Sequence, residues 1–152
     1  MIKLTNLEVW VSLASLGLII MFVVLMTSFY LFLIRSGPQG PDIPVQPPGV
    51  IVQVVSISGA PGVILSGITY GLAKNYGSKE SGLILFVAGV ILSAGMLYFG
   101  TLVLQTPETY AVPFLEILQY AFVAAGFGIM IIGVLLIKKP TRNHGRLVDE
   151  NF

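Results

Sequence analysis

The stretch Trp10–Ile34, WVSLASLGLIIMFVVLMTSFYLFLI, runs 25 residues without an Asp, Glu, Lys, Arg or His and is closed by Arg35. At the helical rise of about 1.5 Å per residue it would reach roughly 37 Å, more than the ~30 Å hydrocarbon core of a bilayer. A cleaved secretory signal has an apolar core of about 7–15 residues followed by small residues. This run is longer and ends in Phe29-Tyr30-Leu31-Phe32, so it is expected to be a retained anchor. Thr5 and Glu8 have the spacing of a capping box at its start. Trp10 and Tyr30 suit the aromatic belts at the two interfaces.

Outward from this run, Gly82–Leu104 and Phe114–Ile137 are of similar length and character, and Val50–Ala73 is a weaker third. The 152-residue chain is 55% hydrophobic and 10% charged, whereas soluble domains carry about 25% charged residues. The fold class expected is an all-α integral membrane protein, a small bundle of four transmembrane helices over about 7–34, 50–73, 82–104 and 113–137. These make one transmembrane domain, residues 1–137, followed by a polar tail, residues 138–152.

Val50–Ala73 leaves an alternative of three spans. VIVQVVSIS is β-branched and polar-spotted, and Gly59-Ala60-Pro61-Gly62 interrupts it. Helices in lipid tolerate such a break when neighbours satisfy the freed carbonyls, so a second span kinked at Gly59–Gly62 is expected. The other reading is an extended, non-spanning stretch followed by a short helix from Val63 to Ala73. Charge does not separate the two. Four spans put Lys3, Lys74, Lys79, Lys138, Lys139, Arg142 and Arg146 on one side and Arg35 alone on the other. Three spans exchange only the places of Lys3 and Arg35 as the exception. Both place the C-terminal tail in the cytoplasm by the positive-inside rule, in what is expected to be the cell membrane.

Between the first two runs lies the extramembrane loop 36–49, in which Pro38, Pro41, Pro44 and Pro47 recur every third residue. Polyproline II has three residues per turn, so the four rings would line one edge of an extended rod. That rod reads either as a docking surface or as a stiff connector. Small residues offer a second kind of contact, because they let helix backbones approach closely in lipid. Gly67 and Gly71 form a GxxxG, and Gly82, Gly89, Ser93 and Gly100 mark one side of the third span. Ala121, Ala124, Ala125 and Gly128 repeat the pattern in the fourth, which is expected to begin near Pro113 and to pair antiparallel with the third. Ser12, Ala14, Ser15 and Gly17 cluster in the first half of the first run.

Chemistry-bearing motifs are scarce. With no cysteine there is no disulfide framework or thiolate metal site. His144 is the only histidine and lies in the tail with Asp149 and Glu150, without a metal-ligand spacing. No nucleophile elbow, phosphate loop or haem motif is found. No catalytic, cofactor or metal site is therefore expected, and a net charge of +1 gives no reason to expect a nucleic-acid partner. Glu116, with Gln119 and Tyr120 on the same helical face, is the one candidate polar site near membrane depth. The competing reading is a carboxylate stabilised at a helix N-terminus close to the headgroups.

The function expected is that of a non-catalytic structural or accessory subunit of a larger membrane complex, with other membrane subunits and lipids as partners. Respiratory oxidases and membrane monooxygenases hold small multi-pass subunits of this kind, an analogy of architecture only. The alternative is a small homo-oligomeric transporter or channel, resting on the break in the second span and on Glu116. A lipid-modifying enzyme is a third reading, short of candidate acids, bases and metal ligands.

Overall fold

The computed structural model describes residues 7–37, 46–74, 79–106, 108 and 112–139. These residues form helices and connecting turns, with no strand among them. Four helices are each long and apolar enough to cross a bilayer: α1 (Leu7–Arg35), α2 (Pro47–Ala73), α3 (Lys79–Gln105) and α4 (Leu115–Lys138). The charges within them sit at their ends. Glu8, Glu80 and Glu116 lie in the first turns of α1, α3 and α4, and Arg35 and Lys138 in the last turns of α1 and α4. Each of these signs opposes the local helix dipole, which Lys79 at the start of α3 does not, and all stay within reach of the headgroup region.

Residues 47–73 are helical throughout, so the reading of an extended stretch followed by a short helix from Val63 does not hold, and the helix is long and apolar enough to cross. The irregularity lies one turn earlier than the expected kink at Gly59–Gly62, as a π-helical turn over Val55–Gly59. Its physical origin is Pro61, which has no N–H to offer the carbonyl four residues back. The wider turn takes up the slack, with the Ala60 N–H donating to the Val55 carbonyl instead. The helix also begins three residues earlier than expected. Pro47 and Pro48 occupy its first positions, where a missing N–H costs nothing.

Pro47 therefore does not extend a polyproline rod: it is buried in the first turn of α2. Pro38, Pro41 and Pro44 lie outside the described residues, as do Thr5, His144, Asp149 and Glu150. Pro113 sits in the turn before α4 and not in its first helical position; the Leu115 N–H donates to the Val112 carbonyl at 3.1 Å to close that turn.

Contacts between named residues set the topology. Ser15 meets Ser66 and Phe22 meets Gly59, so α1 and α2 run antiparallel; Tyr30 meets Phe99 and Val23 meets Gly95, so α1 and α3 run parallel. Gly82 meets Gly133 and Gly100 meets Gln119, which makes α3 and α4 an antiparallel pair. Gly59 lies against Phe122 and Lys139 reaches Lys74, closing the ring between α2 and α4. The order around the bundle is α1, α2, α4, α3. Lys74, Lys79, Lys138 and Lys139 fall at one end of it and Arg35 at the other.

The interior is built from Ile19, Phe22, Met26 and Tyr30 of α1, Leu85, Leu92, Met96 and Phe99 of α3, and Phe122, Ile129 and Leu136 of α4, with Ile51 from α2. Phe22 and Phe122 stack at 4.5 Å between ring centres, and both rings press on Gly59. Tyr30 packs edge-on against Phe99 at 4.7 Å.

Candidate functional site

The small residues decide how closely the helices meet. On α3, Gly82 and Gly89 are seven residues apart, and on α4 Gly126 and Gly133 have the same spacing, so the two pairs face each other across two turns. A Cβ on Gly82 would lie 2.8 Å from the Gly133 carbonyl oxygen, and one on Gly133 would lie 2.7 Å from the Gly82 oxygen. The backbones are close enough for reciprocal Cα–H···O contacts, a recurring feature of tight helix pairs. Ser93 and Gly100 continue this face of α3, Ser93 against Gly126 and Gly100 against the Gln119 side chain.

Hydroxyl groups hold α1 to α2. The Ser15 hydroxyl reaches the Gly62 carbonyl at 2.8 Å, the Ser66 hydroxyl reaches the same oxygen at 3.0 Å, and the two hydroxyls are 2.6 Å apart. Two protons serve three contacts, so the cluster stays paired in more than one arrangement. Gly62 makes the approach possible, since a Cβ there would meet Ile19 Cγ1 at 3.0 Å. Ser12, Ser58 and Thr69 donate back to carbonyls of their own helices at 2.8 Å. Such back-bonds keep a hydroxyl paired away from water. Among the described residues, the Tyr30 and Ser93 hydroxyl oxygens are buried without a hydrogen-bond partner.

The three residues at the start of α4 are not brought together as a site. Glu116 is exposed in the first turn, Tyr120 is 71% exposed, and Gln119 alone turns inward, half-buried against Gly100. The other small residues also divide. Gly67 and Gly71 on α2, Gly128 on α4 and Gly17 on α1 have, among the described residues and beyond their own helix backbone, nothing within 4 Å of where a side chain would begin. Ala121 and Ala124 are exposed and Ala125 half-buried.

Gly126 and Gly133, the residues that α4 turns toward α3, are not singled out from the sequence, nor is Ser66 as the partner of Ser15, and Gly59 and Gly62 read there as a break in the helix and not as points of close approach. The signal of the α4 pair was present: the seven-residue step from Gly126 to Gly133 mirrors that from Gly82 to Gly89. Among the described residues, no group of three or more His, Asp or Glu side chains converges as a metal site would require. The arrangement defines a packing scaffold, with one glycine face used internally and another left open. No protein family, curated protein or solved structure matches the chain.

Proposed function

We propose that this protein is a non-catalytic structural subunit of a larger membrane complex, docking through the outer face of α2. The observation that carries the reading is the open pair Gly67 and Gly71, flanked by Ile64 and Ile68 at 60% and 45% exposure. Each glycine in a helix interior costs about 0.5–1 kcal/mol relative to alanine. The α3–α4 pair offsets that cost by close approach, whereas among the described residues no other part of the bundle meets Gly67 and Gly71. A helix from another subunit would. In this reading the partners are other membrane proteins and lipids, and the lysine end faces the cytoplasm of a cell membrane by the positive-inside rule.

Gentle solubilisation of the native membrane, native-size separation and mass spectrometry of co-migrating chains test this. Reproducible company from cofactor-bearing subunits is the expected result and would name the reaction served, whether that of an oxidase, a monooxygenase or another assembly. Migration as a homo-oligomer alone would remove the proposal in favour of a transporter or channel. That second reading has the π turn of α2 on its side. Against it, the rings of Phe22 and Phe122 cover Gly59 at the end of that turn. Ion or solute flux in proteoliposomes holding only this chain would decide in its favour.

A further inference from the structure

The outer face of α4 carries a shallow groove of about 260 Å³ lined by Phe127, Met130, Ile131, Val134, Leu135 and Lys138. Phe127, Ile131 and Leu135 are exposed, and the lining is apolar until its last residue, Lys138. From Phe127 to Lys138 the groove rises roughly 16 Å along the helix, about half the ~30 Å hydrocarbon core. That is the depth of one leaflet. The groove thus has the length of one acyl chain and ends in a cation at the level of the headgroups.

We propose that this groove seats an anionic phospholipid from the leaflet at the lysine end, with one acyl chain along Phe127–Leu135 and the phosphate on the Lys138 ammonium. An apolar groove alone would accept any lipid; the charge makes the selection. Lys139 is engaged elsewhere, donating to the Lys74 carbonyl at 2.7 Å at the C-terminus of α2. Lys138 is exposed and has no hydrogen bond or ion pair among the described residues. Lys74 and Lys79 add positive charge at the same end, against Glu8 and Glu80. A lysine at the membrane surface favours an anionic headgroup by about fivefold.

The single tryptophan makes the test direct. In the full-length chain, Trp10→Phe removes it and Ile131→Trp places a reporter in the groove. The protein is reconstituted with brominated phosphatidylglycerol or brominated phosphatidylcholine, and quenching is followed against mole fraction. We expect phosphatidylglycerol to be preferred about fivefold at position 131 and the preference to vanish with Lys138→Gln. A second reporter, Ile20→Trp on the outer face of α1, is expected to show no such preference. Equal quenching by the two lipids at position 131, an unchanged preference in Lys138→Gln, or the same preference at position 20 would each overturn the site. Lipid counting by native mass spectrometry on Lys138→Gln, without the tryptophan changes, gives the same decision independently of the reporters.

Discussion

Gly89 and Gly126 face each other across the α3–α4 contact with no room for a side chain on either. A Cβ on Gly89 would sit 2.6 Å from the Gly126 carbonyl oxygen, and one on Gly126 would sit 3.1 Å from the Gly89 oxygen. Beside the Met130 side chain, the atoms in the way at Gly89 are the Gly126 oxygen and the Met130 nitrogen, backbone that cannot swing aside as the end of a flexible side chain can. Gly89→Ala is therefore expected to force the helices apart and cost about 1–3 kcal/mol, as overpacked cores do. The midpoint of SDS-induced unfolding in mixed micelles measures it. An unchanged midpoint would mean that the pair does not set the α3–α4 distance.

The hydroxyl cluster between α1 and α2 calls for a double-mutant cycle. Ser15→Ala and Ser66→Ala each leave the other hydroxyl bonded to the Gly62 carbonyl, so each alone should be mild. The coupling between them is expected near the ~0.6 kcal/mol average for hydrogen bonds in membrane proteins, with ~1.7 as the upper bound. Strict additivity would show that the 2.6 Å Ser15–Ser66 contact contributes nothing.

Tyr30→Phe and Ser93→Ala remove buried hydroxyls that have no partner among the described residues. A buried unpaired polar group costs about 1–3 kcal/mol, so each substitution should leave stability unchanged or raise it by about 1 kcal/mol. Tyr30→Phe keeps the edge-on contact with Phe99. A loss above about 1 kcal/mol in either variant would reveal a partner.

Gly67→Leu combined with Gly71→Leu separates folding from assembly. Among the described residues, and beyond the helix's own backbone, neither position has an atom within 4 Å of where a side chain would begin, so the variant is expected to fold with unchanged or slightly greater stability. Its co-migration with partner subunits should fall sharply, read by quantitative mass spectrometry of the native-size fraction. Full retention of partners would show that α2 is not the docking face.

The lack of native cysteine allows a clean test of topology. Four crossings put Ser36 and Lys79 on opposite sides of the membrane. With an impermeant maleimide added to intact cells, Ser36→Cys should label, and Lys79→Cys only after permeabilisation. Labelling of both from one side would refute four spans.

Much of this architecture was legible in the chain. The long apolar runs set three of the helices and favoured a fourth, and the expected boundaries fall within about three residues of those observed, close to the usual uncertainty in helix ends. The exceptions have local causes. Pro47 and Pro48 start α2 early because their missing N–H groups fall in a first turn, and Pro61 widens α2 into a π turn where the residues alone suggested a kink. The docking reading of the proline loop loses Pro47, which is buried in that first turn.

What the sequence by itself determined is the bilayer as solvent, three long apolar helices and the lysines at one end; that residues 47–73 form a fourth helix was settled by the structure. Only the tertiary structure decided which faces meet. In water, an apolar stripe marks the buried face of a helix. In lipid, the inward and outward faces are equally apolar, and small residues serve either one. Gly82 and Gly67 therefore look alike in the sequence. The packed bundle sets Gly82 against Gly133 and leaves Gly67 open. In the same way Gly126, two residues before Gly128 and on the other side of α4, is the glycine that Ser93 meets.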